Sequence, residues 1–207
     1  MAKKVLGLIY SNSFDSVLPE LTALRAMGSV PFAGRYRLID FPLSNMVNCG
    51  ITSVGIITRG NYRSLMDHVG SGKAWDLSRK RDGLFIIPPF SDAIYSGNKV
   101  RSRIDALYSA IGFIQRSNDE HVLMCDTNVV CNIDFDDLIK QHVDTGADIT
   151  VSYRYGEAPK VPGIMTFALD ASGRVTNEEL CRCGITCAAY SLNTFIFKKS
   201  LLERLLN

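Results

Sequence analysis

Apolar residues in this chain gather into short unbroken runs. Lys4-Val-Leu-Gly-Leu-Ile-Tyr10, Ser53-Val-Gly-Ile-Ile-Thr58, Leu84-Phe-Ile-Ile87 and His121-Val-Leu-Met-Cys125 all lack alternation, the pattern of strands buried on both faces of a parallel sheet. Asp148 to Tyr155 and Thr186 to Phe197 read as further strands. Gly163 to Leu169 and Arg174-Val-Thr176, joined by Asp170-Ala-Ser-Gly173, read as a hairpin. Between the runs the spacing turns helical. Leu38, Ile39, Phe41, Met46 and Val47 precede Gly50, a favoured residue just past a helix end, while Pro42 places a kink or a helix start beside itself. Tyr62 to Val69, Ile104 to Gln115 and Asp134 to Gly146 follow as helices, and Lys198 to Leu206 begins another that stops without a cap, as a truncation would. Strand, helix and strand from Lys4 to Thr58 form a βαβ unit. The expected fold is therefore α/β, a doubly wound, mostly parallel sheet, in one domain over residues 1–207.

The loops carry the candidate chemistry. In a doubly wound sheet the loop after the first strand lies at the carboxyl edge, where ligands bind and glycines let backbone N–H groups close on phosphate. Here that loop, Ser11-Asn-Ser-Phe-Asp-Ser-Val17, contains no glycine. Leu18 to Phe32, punctuated by Pro19, Gly28 and Pro31, reads as irregular or briefly helical. Ser91 to Arg103, with Gly97, Lys99, Arg101 and Arg103, reads as a long mobile loop. Asp126-Thr-Asn128 follows the fourth strand, where a carboxylate suits Mg²⁺ held jointly with substrate phosphates. An acidic residue there also starts a turn through local hydrogen bonds alone, and both readings stand.

Composition narrows the classes. With 23 basic and 21 acidic residues the net charge is only +2, which gives no general attraction to nucleic acid or membrane. No apolar run has the length of a membrane span, and Met-Ala-Lys-Lys followed by a strand is not a signal peptide, so the expected location is cytoplasmic. Arg79-Lys-Arg81 reads as a solvated loop. Six cysteines in a chain with a real core read as reduced thiols, with Cys49, Cys125 and Cys131 as small core residues. Cys181-Arg-Cys183-Gly-Ile-Thr-Cys187 lacks zinc-site spacing and a nearby histidine. His68, His121 and His142 share no spacing and read as helix-surface or loop residues.

Arg25-Ala26, Phe32-Ala-Gly-Arg-Tyr-Arg-Leu-Ile-Asp-Phe-Pro-Leu-Ser-Asn45, Asn48-Cys-Gly-Ile51, Trp75-Asp-Leu77, Pro88-Pro89 and Asp126 together resemble the bacterial glucose-1-phosphate adenylyltransferases of glycogen synthesis. The resemblance runs from Lys4 onward, and Arg-Leu-Ile-Asp-Phe-Pro-Leu-Ser-Asn is its most specific part. It implies the nucleotide-diphospho-sugar transferase (Rossmann-like) fold, here truncated, with the family's carboxyl-terminal β-helix domain absent. It also implies Mg²⁺ in the active family, with Asp126 at the metal position, and Arg25, Tyr95, Gly97 and Asp105 on nucleotide- or sugar-phosphate-binding motifs.

The departures bear on activity. The family loop Gly-Gly-x-Gly-Thr-Arg-Leu falls on Asn12 to Leu18, so its three glycines and its arginine are lost, Phe14 obstructs close backbone approach, and Asp15 adds a charge that repels a triphosphate. Met27 replaces a phosphate-binding lysine, the Glu-Lys-Pro sugar-phosphate motif has no counterpart near Asn177-Glu-Glu-Leu180, and Tyr-x-Gly-Thr-Ala-Asp is split between Tyr95-Ser-Gly97 and Asp105-Ala106. Nucleotidyl transfer depends on positive groups that stabilise transition-state charge, and losing one costs about a hundredfold or more in rate. The pattern resembles the D-type, regulatory subunit, implying a hetero-oligomer, taken as a tetramer, with a catalytic adenylyltransferase subunit and a retained ATP or sugar-phosphate ligand. Two alternatives stand beside it: an active nucleotidyltransferase in which Lys99, Arg101 or Arg103 replaces the missing cations, and a non-enzymatic sugar-phosphate sensor.

Overall fold

The computed structural model describes residues 4–79, 81–88, 103–161, 163–180 and 188–206. The loop carrying Tyr95 and Gly97, and the Cys181, Cys183 and Cys187 cluster, lie outside the described residues. The chain divides into two compact units, Met1–Thr150 with Ile196–Asn207, and Val151–Phe195.

In chain order the elements are β1 (Val5–Tyr10), α1 (Pro19–Thr22), β2 (Pro31–Phe32), β3 (Tyr36–Arg37), α2 (Asp40–Asn48), β4 (Ser53–Ile57), α3 (Arg63–Val69), β5 (Gly83–Ile87), α4 (Arg103–Ser109), α5 (Ile111–Arg116), β6 (His121–Asp126), α6 (Phe135–Thr145), β7 (Ile149–Gly156), β8 (Met165–Leu169), β9 (Val175–Leu180), β10 (Ala188–Lys198) and α7 (Lys199–Leu206). In the first unit β5, β4, β1 and β6 lie side by side, every pair parallel. Two of the unbroken apolar runs have the reason expected of them, β1 being buried at all six positions and β4 at all five, whereas β5, at the end of the strand order, is only partly buried and leaves Phe85 exposed. Val5 and Ile9 enter one core with Ile39, Leu43 and Met46 of α2 and its amino-terminal flank, Leu65 and Val69 of α3, and Phe135 and Ile139 of α6. Leu6, Leu8 and Tyr10 enter a second core with Ala106 and Leu107 of α4, Ile114 of α5, and Leu202 and Leu206 of α7. Helices thus cover both faces of the parallel strands, the doubly wound arrangement.

Local chemistry sets the helix ends. Asp134 caps α6 by accepting the Asp136 N–H at 2.9 Å, Asp136 and Asp137 lie in its positive first turn, and Gly146 closes it at φ 61°. Pro42 sits in the first turn of α2, where a missing N–H removes no helical bond. At the other end Gly50 (φ 75°) donates to the Val47 carbonyl at 2.9 Å and Ile51 to that of Met46 at 3.0 Å, the paired bonds of a Schellman ending.

Three expectations change. The helix expected from Ile104 to Gln115 is two, because the chain tightens at Ala110, whose N–H donates to Leu107 three residues back. In the second unit, β8 pairs antiparallel with β9 and with β10, and the hairpin's second arm continues through Asn177, Glu178 and Glu179 to Leu180; these side chains are exposed, and backbone pairing carries the strand. His142 is not a surface residue. It follows Phe135 and Ile139 along the inner face of α6 and is 1% exposed, a position that the spacing of those two residues could have signalled. His68 and His121 are half-buried, as is Cys131, whereas Cys49 and Cys125 are buried as expected.

Candidate functional site

The stretch from Arg37 to Asn45 is a clasp. The Arg37 guanidinium donates to the Ser64 carbonyl and, at 2.7 Å, to its hydroxyl, holding α3. Asp40, 9% exposed, accepts the Arg37 N–H at 2.9 Å with one oxygen and meets His68 Nε2 at 2.5 Å with the other. Trp75 Nε1 donates to Ser44 Oγ at 3.2 Å, and Asn45 Nδ2 to the Cys131 carbonyl at 2.9 Å. These most recognisable residues therefore tie α2 to α3, to the turn at Trp75 and to the segment after β6. Their evident role is architectural.

Chemistry gathers instead at the carboxyl edge of β1, β4 and β6. The loop leaving β1 is bound to its surroundings by its own polar groups. Ser11 N–H donates to the Ile57 carbonyl at 3.1 Å, and its hydroxyl bonds the same carbonyl at 3.0 Å. Asn12 accepts the Arg59 N–H at 2.7 Å while its amide donates to Asp15 Oδ2 at 2.7 Å and to the Gly60 carbonyl at 3.2 Å. Asp15 Oδ1 accepts the Met27 N–H at 2.9 Å. Gly28 N–H donates to the Ser11 carbonyl at 3.0 Å, and a Cβ on Gly28 would lie 3.2 Å from Thr127 Cγ2 and 3.3 Å from Ser11 Cβ, so the loop, Gly28 and the residue after β6 are closely packed. Phe14 makes the turn possible from the left-handed region, at φ 63°, which costs a side-chain-bearing residue about 1–2 kcal/mol.

Tyr10 and Asp126 are register partners at the ends of β1 and β6, both buried. Burial pushes the Tyr10 phenol above its usual range; the hydrogen-bonded Arg59 guanidinium opposes this, and the carboxylates of Asp126 and Asp15 add to it. Burial likewise raises the Asp15 carboxyl, against the bonds it receives from Asn12 and Met27. The expected repulsive charge of Asp15 is thus turned inward and hydrogen-bonded at both oxygens. Among the described residues Ser13 Oγ and Thr127 Oγ1, both buried, find no hydrogen-bond partner, and neither does Asn128 Oδ1. Leaving such groups unpaired costs about 1–3 kcal/mol each.

Of the residues singled out from the sequence, Asp126 and Met27 meet at this edge. Met27 is 3% exposed, so it contributes a backbone N–H rather than a side chain reaching for ligand. Arg25, two residues earlier, is half-buried, and Asp105 is exposed in the first turn of α4. Sequence reasoning missed Asn12 as the loop's anchor and Arg59 as its cation, although Arg59 directly follows the second strand at the same edge. Magnesium takes oxygen ligands, commonly one or two carboxylates plus substrate phosphates. Asp126 offers one buried carboxylate, while Asp15 is already engaged, so these residues fit the ion only together with ligand phosphates. Elsewhere among the described residues Cys49, Asp134 and Asp136 place ligand-type atoms within 4.8 Å. The α6 cap accounts for that cluster: Cys49 Sγ donates to Asp134 Oδ1 at 3.4 Å and accepts the Phe135 N–H at 3.2 Å.

Residues 16–177 match the family model described as Nucleotidyl transferase. The chain is 46% identical over 150 residues to the glycogen biosynthesis protein GlgD of Geobacillus stearothermophilus, covering 72% of this chain and 43% of that protein. It is 40% identical to GlgD of Bacillus subtilis over 158 residues, covering 76% and 46% of the two chains. Against the glucose-1-phosphate adenylyltransferase of Clostridium kluyveri it is 32% identical over 213 residues, covering 99% and 53%. The chain therefore spans about half the length of these curated relatives. In fold it is similar to a Bacillus anthracis protein assigned as a glucose-1-phosphate thymidylyltransferase and solved with sucrose, at a TM-score of 0.76 and 13% identity, covering 97% of this chain and 74% of that one. Among the described residues no helix is long and apolar enough to cross a membrane.

Proposed function

From the nucleotidyl transferase family, to which this chain belongs, we infer a part of a regulatory, catalytically impaired subunit of glucose-1-phosphate adenylyltransferase. The reaction served is ATP plus glucose 1-phosphate giving ADP-glucose and diphosphate, in the cytoplasm, during glycogen synthesis. The observation that carries this reading is the loop after β1. Where an active member needs free backbone N–H groups and a cation for a triphosphate, this loop closes on its own Asn12 and Asp15 side chains, and Met27 is buried. Identity with two GlgD proteins, higher than with the adenylyltransferase of Clostridium kluyveri, supports the regulatory assignment.

In this reading a catalytic adenylyltransferase subunit completes a hetero-oligomer, taken as a tetramer. Arg25, Tyr95, Gly97 and Asp105 belong to a vestigial or regulatory ligand site for ATP or a sugar phosphate, and Asp126 is the residue that would hold Mg²⁺ with such a ligand's phosphates. The test is ADP-glucose formation by the purified chain alone, by a catalytic subunit alone, and by the two together. The expected result is no turnover by the chain alone and a changed rate or substrate affinity in the mixture. Turnover by the chain alone, abolished by Asp126→Asn, would overturn the assignment.

A further inference from the structure

We propose that the Asp15 carboxylate is a built-in occupant of the anion position at the carboxyl edge of β1, an internal contact that keeps polyphosphates out. It rests on the reading of this edge as a nucleotide site inherited from active relatives. Four backbone N–H groups belong to this edge, those of Ser11, Met27, Gly28 and Arg59, and each has its own internal acceptor. Three of those acceptors belong to neutral groups: the Ile57 and Ser11 carbonyls and the Asn12 amide oxygen. Met27 alone donates to a charge, and the same carboxylate takes the Asn12 amide with its other oxygen. A carboxylate bound through both oxygens by a backbone N–H and an amide, with the Arg59 guanidinium contributing favourably from nearby, reproduces how a bound phosphate is held.

Two further observations show that the edge is shaped for more than its own loop. Ser13 and Thr127, 6% and 0% exposed, bury hydroxyls that find no hydrogen-bond partner among the described residues, which folded chains avoid unless a water, ion or ligand supplies one. The loop also adopts a left-handed backbone at Phe14 to bring Asp15 round. Without the Asp15 side chain, the Met27 N–H loses its acceptor and the Asn12 amide keeps only the Gly60 carbonyl, and beside Arg59 a polyphosphate oxygen is the group that would take the vacated place.

The experiment measures binding of inorganic tripolyphosphate by the wild-type chain and by Asp15→Gly, Asp15→Ala and Asp15→Asn, using calorimetry and thermal shift, with circular dichroism confirming each fold. The wild type is expected to bind weakly. Asp15→Gly and Asp15→Ala should bind at least about tenfold tighter, with affinity falling as salt is raised, and Asp15→Asn should lie between because it removes the charge but keeps the bulk. Equal binding by wild type and the folded variants would overturn the proposal, as would tight binding by the wild type. Should the smaller side chains unfold the loop, Asp15→Asn alone decides, by gaining affinity or not. The subunit reading fails separately: it falls if the wild-type chain leaves a catalytic subunit's ADP-glucose formation unchanged, whichever way the tripolyphosphate result goes.

Discussion

Acid should loosen this fold through one histidine. His142 lies on the buried face of α6, its Nδ1 2.7 Å from Thr150 Oγ1 and its ring set edge-on to His121 with centroids 5.0 Å apart. Its pKa is pushed down to about 4 from 6.5, chiefly by burial, with the charges of His121 and Lys198 acting in the same direction and Asp148 opposing them. In the unfolded chain the imidazole regains its ordinary value, so between pH 6.5 and 4 the unfolded state binds a proton that the folded state refuses. Stability is therefore undiminished above pH 6.5 and falls as pH drops through that window. Integrated from pH 7.5 to 4.5, the shift from 6.5 to about 4 amounts to about 2–3 kcal/mol. His121, also lowered by burial, adds in the same direction. Urea denaturation of the wild type and of His142→Gln at a series of pH values measures the difference, because glutamine keeps a polar contact for Thr150 but does not titrate. The wild type should lose about 2–3 kcal/mol more than the variant on going to pH 4.5; parallel pH profiles for the two would refute the assignment.

Other substitutions probe the frame and the loop. A Cβ on Gly55 would lie 2.7 Å from the Phe113 ring and 2.9 Å from Ile87 Cδ1, so Gly55→Ala should lower stability by about 1–3 kcal/mol in the same denaturation assay. Asp40→Ala removes the acceptor shared by the Arg37 N–H and His68; a loss of about 1–3 kcal/mol is expected, and a double-mutant cycle with His68→Phe should show non-additivity. Phe14→Gly relieves a left-handed backbone at φ 63°, worth about 1–2 kcal/mol against roughly 0.5–1 kcal/mol of added chain freedom. Its denaturation midpoint should hold or rise, and a clear fall would mean that the Phe14 ring itself secures the loop.

Strands β1, β4 and β6 were legible because burial on both faces leaves an unbroken apolar run, and α6 because its acidic first turn and terminal glycine mark both ends. The loop after β1 was legible only as an absence. That it lacks glycine is plain, but the inward turn of Asp15 depends on Asn12, which is pinned by the N–H of Arg59, 47 residues away. No local pattern reports a contact of that span. The Arg37 to Asn45 stretch misleads in the other direction: it is the segment that best betrays kinship, yet its side chains brace helices. His142 was hidden by its residue type, since a polar side chain at a core spacing reads as an exception until its neighbours are seen.

Gly7 and Gly55 solve a problem that their strands create. A strand whose two faces are both apolar can slip by one residue without exposing anything greasy, so hydrophobicity alone gives the ladder no preferred alignment. In β1 the place of a Gly7 side chain is taken by Met46 Sδ, 2.7 Å from where a Cβ would stand, and in β4 that of Gly55 by Phe113. A one-step slip would drive Leu6 or Leu8 into the methionine, and Val54 or Ile56 into the ring. The two missing side chains act as keyways cut on opposite sides of the sheet, each admitting a single tooth from the helix above it, and together they lock β1 and β4 at the offset that lines up Tyr10 with Ile57.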